Sequence, residues 1–196
     1  MKTMFVAAAM ASALALSTPA TAGFFDLTLA PYLGGSLGQA QPNISCPAAT
    51  TCDDKDIAWK IYGGLEVNEY MSMQVGYVDF GEAKYSGTAI GTRESNGMTV
   101  ELVGTYVVNP SFTLIGKGGM NFLGTRVDGN AALVASTHEA DTDLEWSLGL
   151  GAQYNFTKTV GLRMEWDRYF NVGSPDVTST LEADIDLITA GVVFKF

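Results

Sequence analysis

Taking every second residue from 142 to 156 gives Thr142, Leu144, Trp146, Leu148, Leu150, Ala152, Tyr154 and Phe156. The interleaved set is Asp143, Glu145, Ser147, Gly149, Gly151, Gln153 and Asn155. Side chains along a strand point alternately to opposite faces, so this segment predicts one strand with an apolar face and a polar or very small one. A sandwich strand has the same alternation but is shorter. The length and the aromatic residues at both ends of the stripe suit a strand that crosses a bilayer, which needs roughly 9 to 11 residues.

Eight segments carry such a pattern: Phe25–Gln39, Ile57–Val67, Tyr70–Gly81, Ser95–Val108, Phe112–Gly124, Thr142–Phe156, Thr159–Phe170 and Ala183–Phe196. The links between them alternate in length. Asn68-Glu69, Asn109-Pro110-Ser111 and Thr157-Lys158 are turn-sized, whereas 40–56, 82–94, 125–141 and 171–182 are long. No stretch beyond the N-terminus approaches the 18 apolar residues of a spanning helix, and an open sheet edge in lipid leaves backbone groups unpaired. The expected fold is therefore all-β: an eight-stranded antiparallel up-and-down transmembrane β-barrel. Short periplasmic turns and long extracellular loops orient it with both termini in the periplasm.

The first 22 residues have a different character. Lys2 supplies a positive start, Phe5 to Leu16 an apolar run too short to span a membrane, and Ala20-Thr21-Ala22 a small-residue cleavage site. This is the pattern of a secretory signal peptide, 1–22, leaving 23–196 as one barrel domain. Eleven basic residues less Lys2 leave ten against 21 acidic ones, a net charge of −11 for that domain. Such acidity argues against nucleic acid as a partner.

Alternation assigns an inward polar set: Lys60, Glu66, Gln74, Glu101, Lys117, Asn121, Glu145, Gln153, Arg163, Glu165, Asp167 and Lys195. Eight strands enclose room only for side chains, so the expectation is a filled lumen in which Arg163 and Lys117 lie among Glu145, Glu165 and other carboxylates. Small residues such as Gly63, Gly64, Gly118, Gly119, Gly149 and Gly151 admit bulky neighbours there. The outward set includes Trp59, Tyr77, Tyr106, Trp146, Tyr154, Phe156 and Trp166 near the stripe ends, where amphipathic rings favour the headgroup level.

Other chemistry is sparse, and no cofactor is implied. Cys46 and Cys52, the only cysteines, fall in the first long link; export to an oxidising compartment favours a disulfide that braces this loop. Asp53, Asp54 and Asp56, then Asp128, Glu139, Asp141 and Asp143, then Asp176, Glu182, Asp184 and Asp186 make the long links acidic. Close carboxylates can bind divalent cations among lipopolysaccharide phosphates, but a solvated rim explains them as well. His138, beside Ser136, Thr137 and Glu139, is the sole histidine; hydrolase chemistry would need these groups in one fixed geometry, and the expectation is no enzyme.

A family resemblance rests on particular segments. Lys60-Ile-Tyr-Gly-Gly-Leu-Glu-Val-Asn-Glu-Tyr-Met-Ser-Met-Gln-Val-Gly-Tyr-Val-Asp-Phe-Gly81 resembles the second and third strands of the outer-membrane protein A transmembrane domain. Pro31 to Gly38 and Leu162 to Trp166 are similar to its first and seventh strands, and small opacity-type surface antigens share the signature. The resemblance implies an outer-membrane location amid lipid and lipopolysaccharide. It also implies recognition of the closing Phe194 and Phe196 by the barrel-assembly machinery. In the family an inward Arg-Glu and Lys-Glu network gates a narrow water passage; Arg163 matches its Arg, whereas Gln74 and Gln153 stand where carboxylates would be. The family's peptidoglycan-binding domain is expected to be absent. Two functions follow as expectations: a structural anchor whose four loops meet a host-surface or phage ligand, or a narrow passive channel for water, ions or small solutes.

Overall fold

The computed structural model describes residues 29–43, 50–53, 56–87, 91–129, 138–172 and 183–196, and among these the only regular secondary structure is β-strand. The strands are β1 (Ala30–Pro42), β2 (Thr50–Asp53), β3 (Asp56–Asn68), β4 (Met71–Gly87), β5 (Gly91–Asn109), β6 (Phe112–Gly129), β7 (His138–Asn155), β8 (Val160–Val172) and β9 (Ala183–Lys195). All but β2 pair with their neighbours in antiparallel sequence order, and β9 pairs with β1 to close a barrel of eight strands. Closure leaves no edge in the lipid. The signal peptide, Cys46 and the hydroxyls of Ser136 and Thr137 lie outside the described residues, so the disulfide does too.

Register sets the shape. Cross-strand partners followed round the barrel run Tyr32, Gly64, Gln74, Glu101, Gly119, Ser147, Tyr169 and Ile185, then back to β1 at Pro42. The path returns ten residues above its start (42 less 32). That is roughly 33 Å of strand against about 38 Å for eight interstrand steps, a tilt of about 40°. At this tilt the stripe from Trp146 to Phe156 covers about 25 Å of barrel height, the usual height of an outward apolar band.

The strands differ from the sequence reading at the end that carries the long links. There β4 to β7 run on to Gly87, Gly91, Gly129 and His138, and β2 adds a ninth strand along β4. His138 thus opens β7 opposite Asp128 and is not a loop residue. Beyond the apolar stripe, ladder hydrogen bonds alone sustain the strands, and these leave no periodic signature.

One glycine makes the handover from β3 to β2 possible. Pairing of β3 with β4 stops at Asp79, a bulge follows before Glu82, and Gly81 within it has φ +75°. The Gly81 N–H donates to Asp79 Oδ1 at 2.9 Å and the Glu82 N–H to Asp56 Oδ2 at 2.8 Å. A side chain at Gly81 would meet Asp56 as well as adopt a left-handed backbone that only glycine tolerates readily.

Candidate functional site: the barrel lumen

The inward positions form three layers. At the short-turn end Tyr32, Tyr62 and Val193 are buried together. Their strands meet closely because β1 and β3 exchange glycine for ring: Gly64 pairs with Tyr32 and Gly34 with Tyr62. A Cβ on Gly64 would stand 2.3 Å from Tyr32, and one on Gly34 2.4 Å from Tyr62. The Arg163 guanidinium lies over both rings, 5.4 Å from the centroid of Tyr32 and 5.3 Å from that of Tyr62. Cation–π contact of this kind gains strength when desolvated. Arg163 also donates through Nε to Gln153 Oε1 at 2.9 Å and through Nη1 to Gln74 Oε1 at 3.2 Å.

The middle layer is charged and balanced. Lys60, Lys117 and Arg163 face Glu101, Glu165 and Asp167, three cations against three carboxylates, all buried. Lys60 Nζ reaches from β3 to Glu165 Oε2 at 2.5 Å and Asp167 Oδ2 at 2.6 Å on β8. Lys117 Nζ bridges Glu101 Oε1 at 3.3 Å, Glu165 Oε1 at 3.3 Å and Asp167 Oδ1 at 3.0 Å. Arg163 stands 4.0 Å from Glu165. Gln74 ties the lower layer to this one, donating through Nε2 to Glu101 Oε2 at 2.7 Å. Room for the cluster comes from Gly149, whose Cβ would stand 2.1 Å from Asp167 Oδ1 and 2.8 Å from Lys117 Cε. An isolated buried ion costs several kcal/mol, so local neutrality is what permits six charges here.

The third layer, at the long-loop end, is apolar. Ala40, Ala58, Val78, Phe80, Leu123, Tyr169, Val172, Ile185 and Leu187, from six strands, form one buried cluster. Phe80 and Tyr169 meet edge to face, centroids 4.9 Å apart. The inward residues of β5 and β7 at this height are polar: Ser95, Thr99 and Ser147 are buried, as is Glu145 opposite Asn121. Asn121 Nδ2 donates to the Glu145 carbonyl at 3.3 Å.

Of the polar positions singled out in the sequence, Lys60, Gln74, Glu101, Lys117, Arg163, Glu165 and Asp167 come together in one network, and Gln153 joins it through Arg163. Glu145 sits above it, in the apolar layer. Glu66 pairs with Lys195 at the short-turn mouth, 2.6 Å apart and a third exposed. Trp59, Tyr106, Trp146, Tyr154 and Trp166 face outward, as do Phe194 and Phe196. Tyr77 is half-buried between Trp59, at 5.7 Å between centroids, and Asn96, to which its hydroxyl donates at 3.0 Å. The apolar layer was not foreseen, nor was the stacking of Arg163 on two tyrosines. Parity alone would have found the former, since Val78, Phe80, Ile185 and Leu187 share the face of Gln74 or Thr189.

A closed eight-stranded barrel with a lipid-facing apolar exterior and a packed polar interior defines a small integral protein of the bacterial outer membrane. Residues 30–196 match the OmpA-like transmembrane domain, and the chain belongs to that family. It is 25% identical over 171 residues to outer membrane protein A of Shigella flexneri and 27% identical over 174 residues to that of Yersinia pseudotuberculosis serotype I (strain IP32953). Each alignment covers 84% of this chain and 48% of the relative. The chain thus spans about half the length of these relatives. Among solved structures, Neisserial surface protein A superposes with a TM-score of 0.62 at 16% identity, covering 85% of this chain and 97% of that one. OprG from Pseudomonas aeruginosa gives 0.59 at 12% identity, with 88% and 98% covered. Ail, the attachment invasion locus protein of Yersinia pestis, gives 0.53 at 10% identity, with 86% and 97% covered.

Proposed function

We propose that this protein is a rigid outer-membrane anchor that presents its long loops for surface interaction and does not conduct solutes. The observation that carries the reading is the closed stack inside the barrel: a neutral cluster of six buried charges capped by nine buried apolar side chains. Water entering from the loop end would have to pass Phe80, Leu123 and Tyr169, each at most 4% exposed. Where the family resemblance implies a switch between carboxylate partners, Arg163 holds two neutral amides, Gln74 and Gln153, and has Glu165 only at 4.0 Å. Loops on a rigid scaffold commonly carry recognition. In this reading lipid and lipopolysaccharide surround the aromatic belts, the barrel-assembly machinery takes the Phe194 and Phe196 end, the loops meet a host-surface or phage ligand, and no catalytic step is assigned.

Planar-bilayer recording of the refolded barrel, beside Arg163→Ala, tests this. Silent membranes with insertion shown by heat-modifiable gel mobility are expected for both. Discrete conductance steps that the substitution alters would place function in the lumen and overturn the reading.

A further inference from the structure

Two aspartates stand on the outer wall where the apolar stripe ends below the long loops, and they differ in company. Asp186 on β9 is saturated: Arg168 donates to it through Nε at 3.0 Å and Nη2 at 2.7 Å, and Asn43 through Nδ2 at 3.0 Å. Asp79 on β4 is not. Its Oδ1 accepts the Gly81 N–H, and no cation among the described residues pairs with it. Its cross-strand partners are Trp59 on β3 and Asn96 on β5, so the three make one outward row of two interstrand steps, about 10 Å long. Tyr77, one outward position lower on β4, holds the row in shape. Its ring centroid lies 5.7 Å from that of Trp59, and its hydroxyl donates to Asn96 Oδ1 at 3.0 Å. The Asn96 Nδ2 group is left with no partner among the described residues. Beneath the row, Ile61, Val75 and Met98 are exposed and continue the lipid-facing stripe.

We propose that Trp59, Asp79 and Asn96 form a binding site for the sugar headgroup of a glycolipid in the outer leaflet. This rests on the membrane-anchor reading above and names one lipid class for its wall. The negative face of an indole attracts the partly positive C–H bonds on one side of a pyranose ring. Asp79 Oδ2 accepts from one ring hydroxyl and Asn96 Nδ2 donates to another, the few placed polar groups that orient a ligand on an apolar surface. The charge of Asp79 disfavours a phosphate in their place. An ammonium group offers donors only, whereas Asn96 Nδ2 needs an acceptor; a pyranose satisfies all three side chains. The exposed Ile61, Val75 and Met98 below call for an occupant that brings its own hydrocarbon, which a free sugar lacks.

The test reconstitutes the full chain in nanodiscs of glucosyl diacylglycerol, phosphatidylglycerol and phosphatidylethanolamine in equal parts, all with the same acyl chains. Lipids retained by the protein are identified by native mass spectrometry. The aromatic contact and the two hydrogen bonds should enrich the glucosyl lipid about fivefold over either phospholipid. Trp59→Leu and Asn96→Ala, each shown to be folded by heat-modifiable mobility, should bring the ratio below about twofold. Trp166→Leu, in the girdle on β8, should leave it unchanged. Absence of enrichment overturns the proposal, as does enrichment that survives both substitutions. Preference for phosphatidylethanolamine would assign the row to an ammonium group, and displacement by millimolar methyl glucoside would make the ligand a free sugar; either result overturns it. Conductance recorded on the same preparation separates the two readings: silent membranes without enrichment remove the glycolipid site and leave the anchor standing, whereas conductance steps with enrichment remove the anchor reading alone.

Discussion

The two halves of the lumen solve one packing problem with opposite materials. Below, the space between strands is filled by long charged side chains whose ends meet near the axis: Lys60 spans from β3 to β8, and Lys117 touches residues of β5 and β8. Above, six strands fill it with aliphatic and aromatic groups, beside the buried polar side chains that β5 and β7 contribute. A buried ion-pair cluster is weak as net stabilisation but severe if broken, because removal of one partner leaves charges unpaired. An apolar cluster loses in proportion to the volume removed. The lower half should fail steeply at single sites, and the upper half gradually.

Four substitutions can break or sharpen that contrast. Lys117→Met removes the cation shared by Glu101, Glu165 and Asp167, and should cost about 3–5 kcal/mol. Urea unfolding in lipid vesicles, followed by the shift in heat-modifiable mobility, reads this directly; a loss below about 1 kcal/mol would mean the charges are solvated. Leu123→Ala in the upper half should cost about 2–4 kcal/mol in the same assay. Membranes holding that variant should stay electrically silent, because the ionic layer beneath is untouched; conductance would show that the apolar layer is the sole barrier. Gly149→Ala intrudes on Asp167 and Lys117, and should cost about 1–3 kcal/mol with the fold retained. Ser147→Ala should change stability by less than about 1 kcal/mol, since its buried hydroxyl has no hydrogen-bond partner to lose.

How far the sequence could be read follows the same division. Strand order, the eight membrane crossings and the outward stripe were legible because lipid outside and packing inside impose a strict period of two. Lys60, Glu101, Lys117, Arg163, Glu165 and Asp167 were legible as inward, since charges on apolar-striped strands have one place to go. Which of them touch was not, because contacts across a lumen depend on a shear of ten residues that no local pattern encodes. Phe80, Ile185 and Leu187 were overlooked for a different reason: at the loop end the lumen face turns apolar while the opposite face carries Asp79, Asp184 and Asp186, so the alternation persists with the polarity of its faces exchanged. The strands beyond Gly81 and before Thr142 were read as loops because neither lipid nor core shapes their composition.

The seam between β1 and β9 has a consequence in time. It joins Tyr32 to Lys195 and Pro42 to Ile185, positions separated by nearly the whole chain. Loop closure over such a separation is entropically costly, and pairings between distant segments are slow to form. Until the final strand arrives, β1 and β8 each present a bare row of amides, which hydrocarbon penalises by several kcal/mol per group. A partly translocated chain therefore has no stable resting place in the bilayer, and insertion and closure must happen as one concerted event, late, with the first strand waiting for the last.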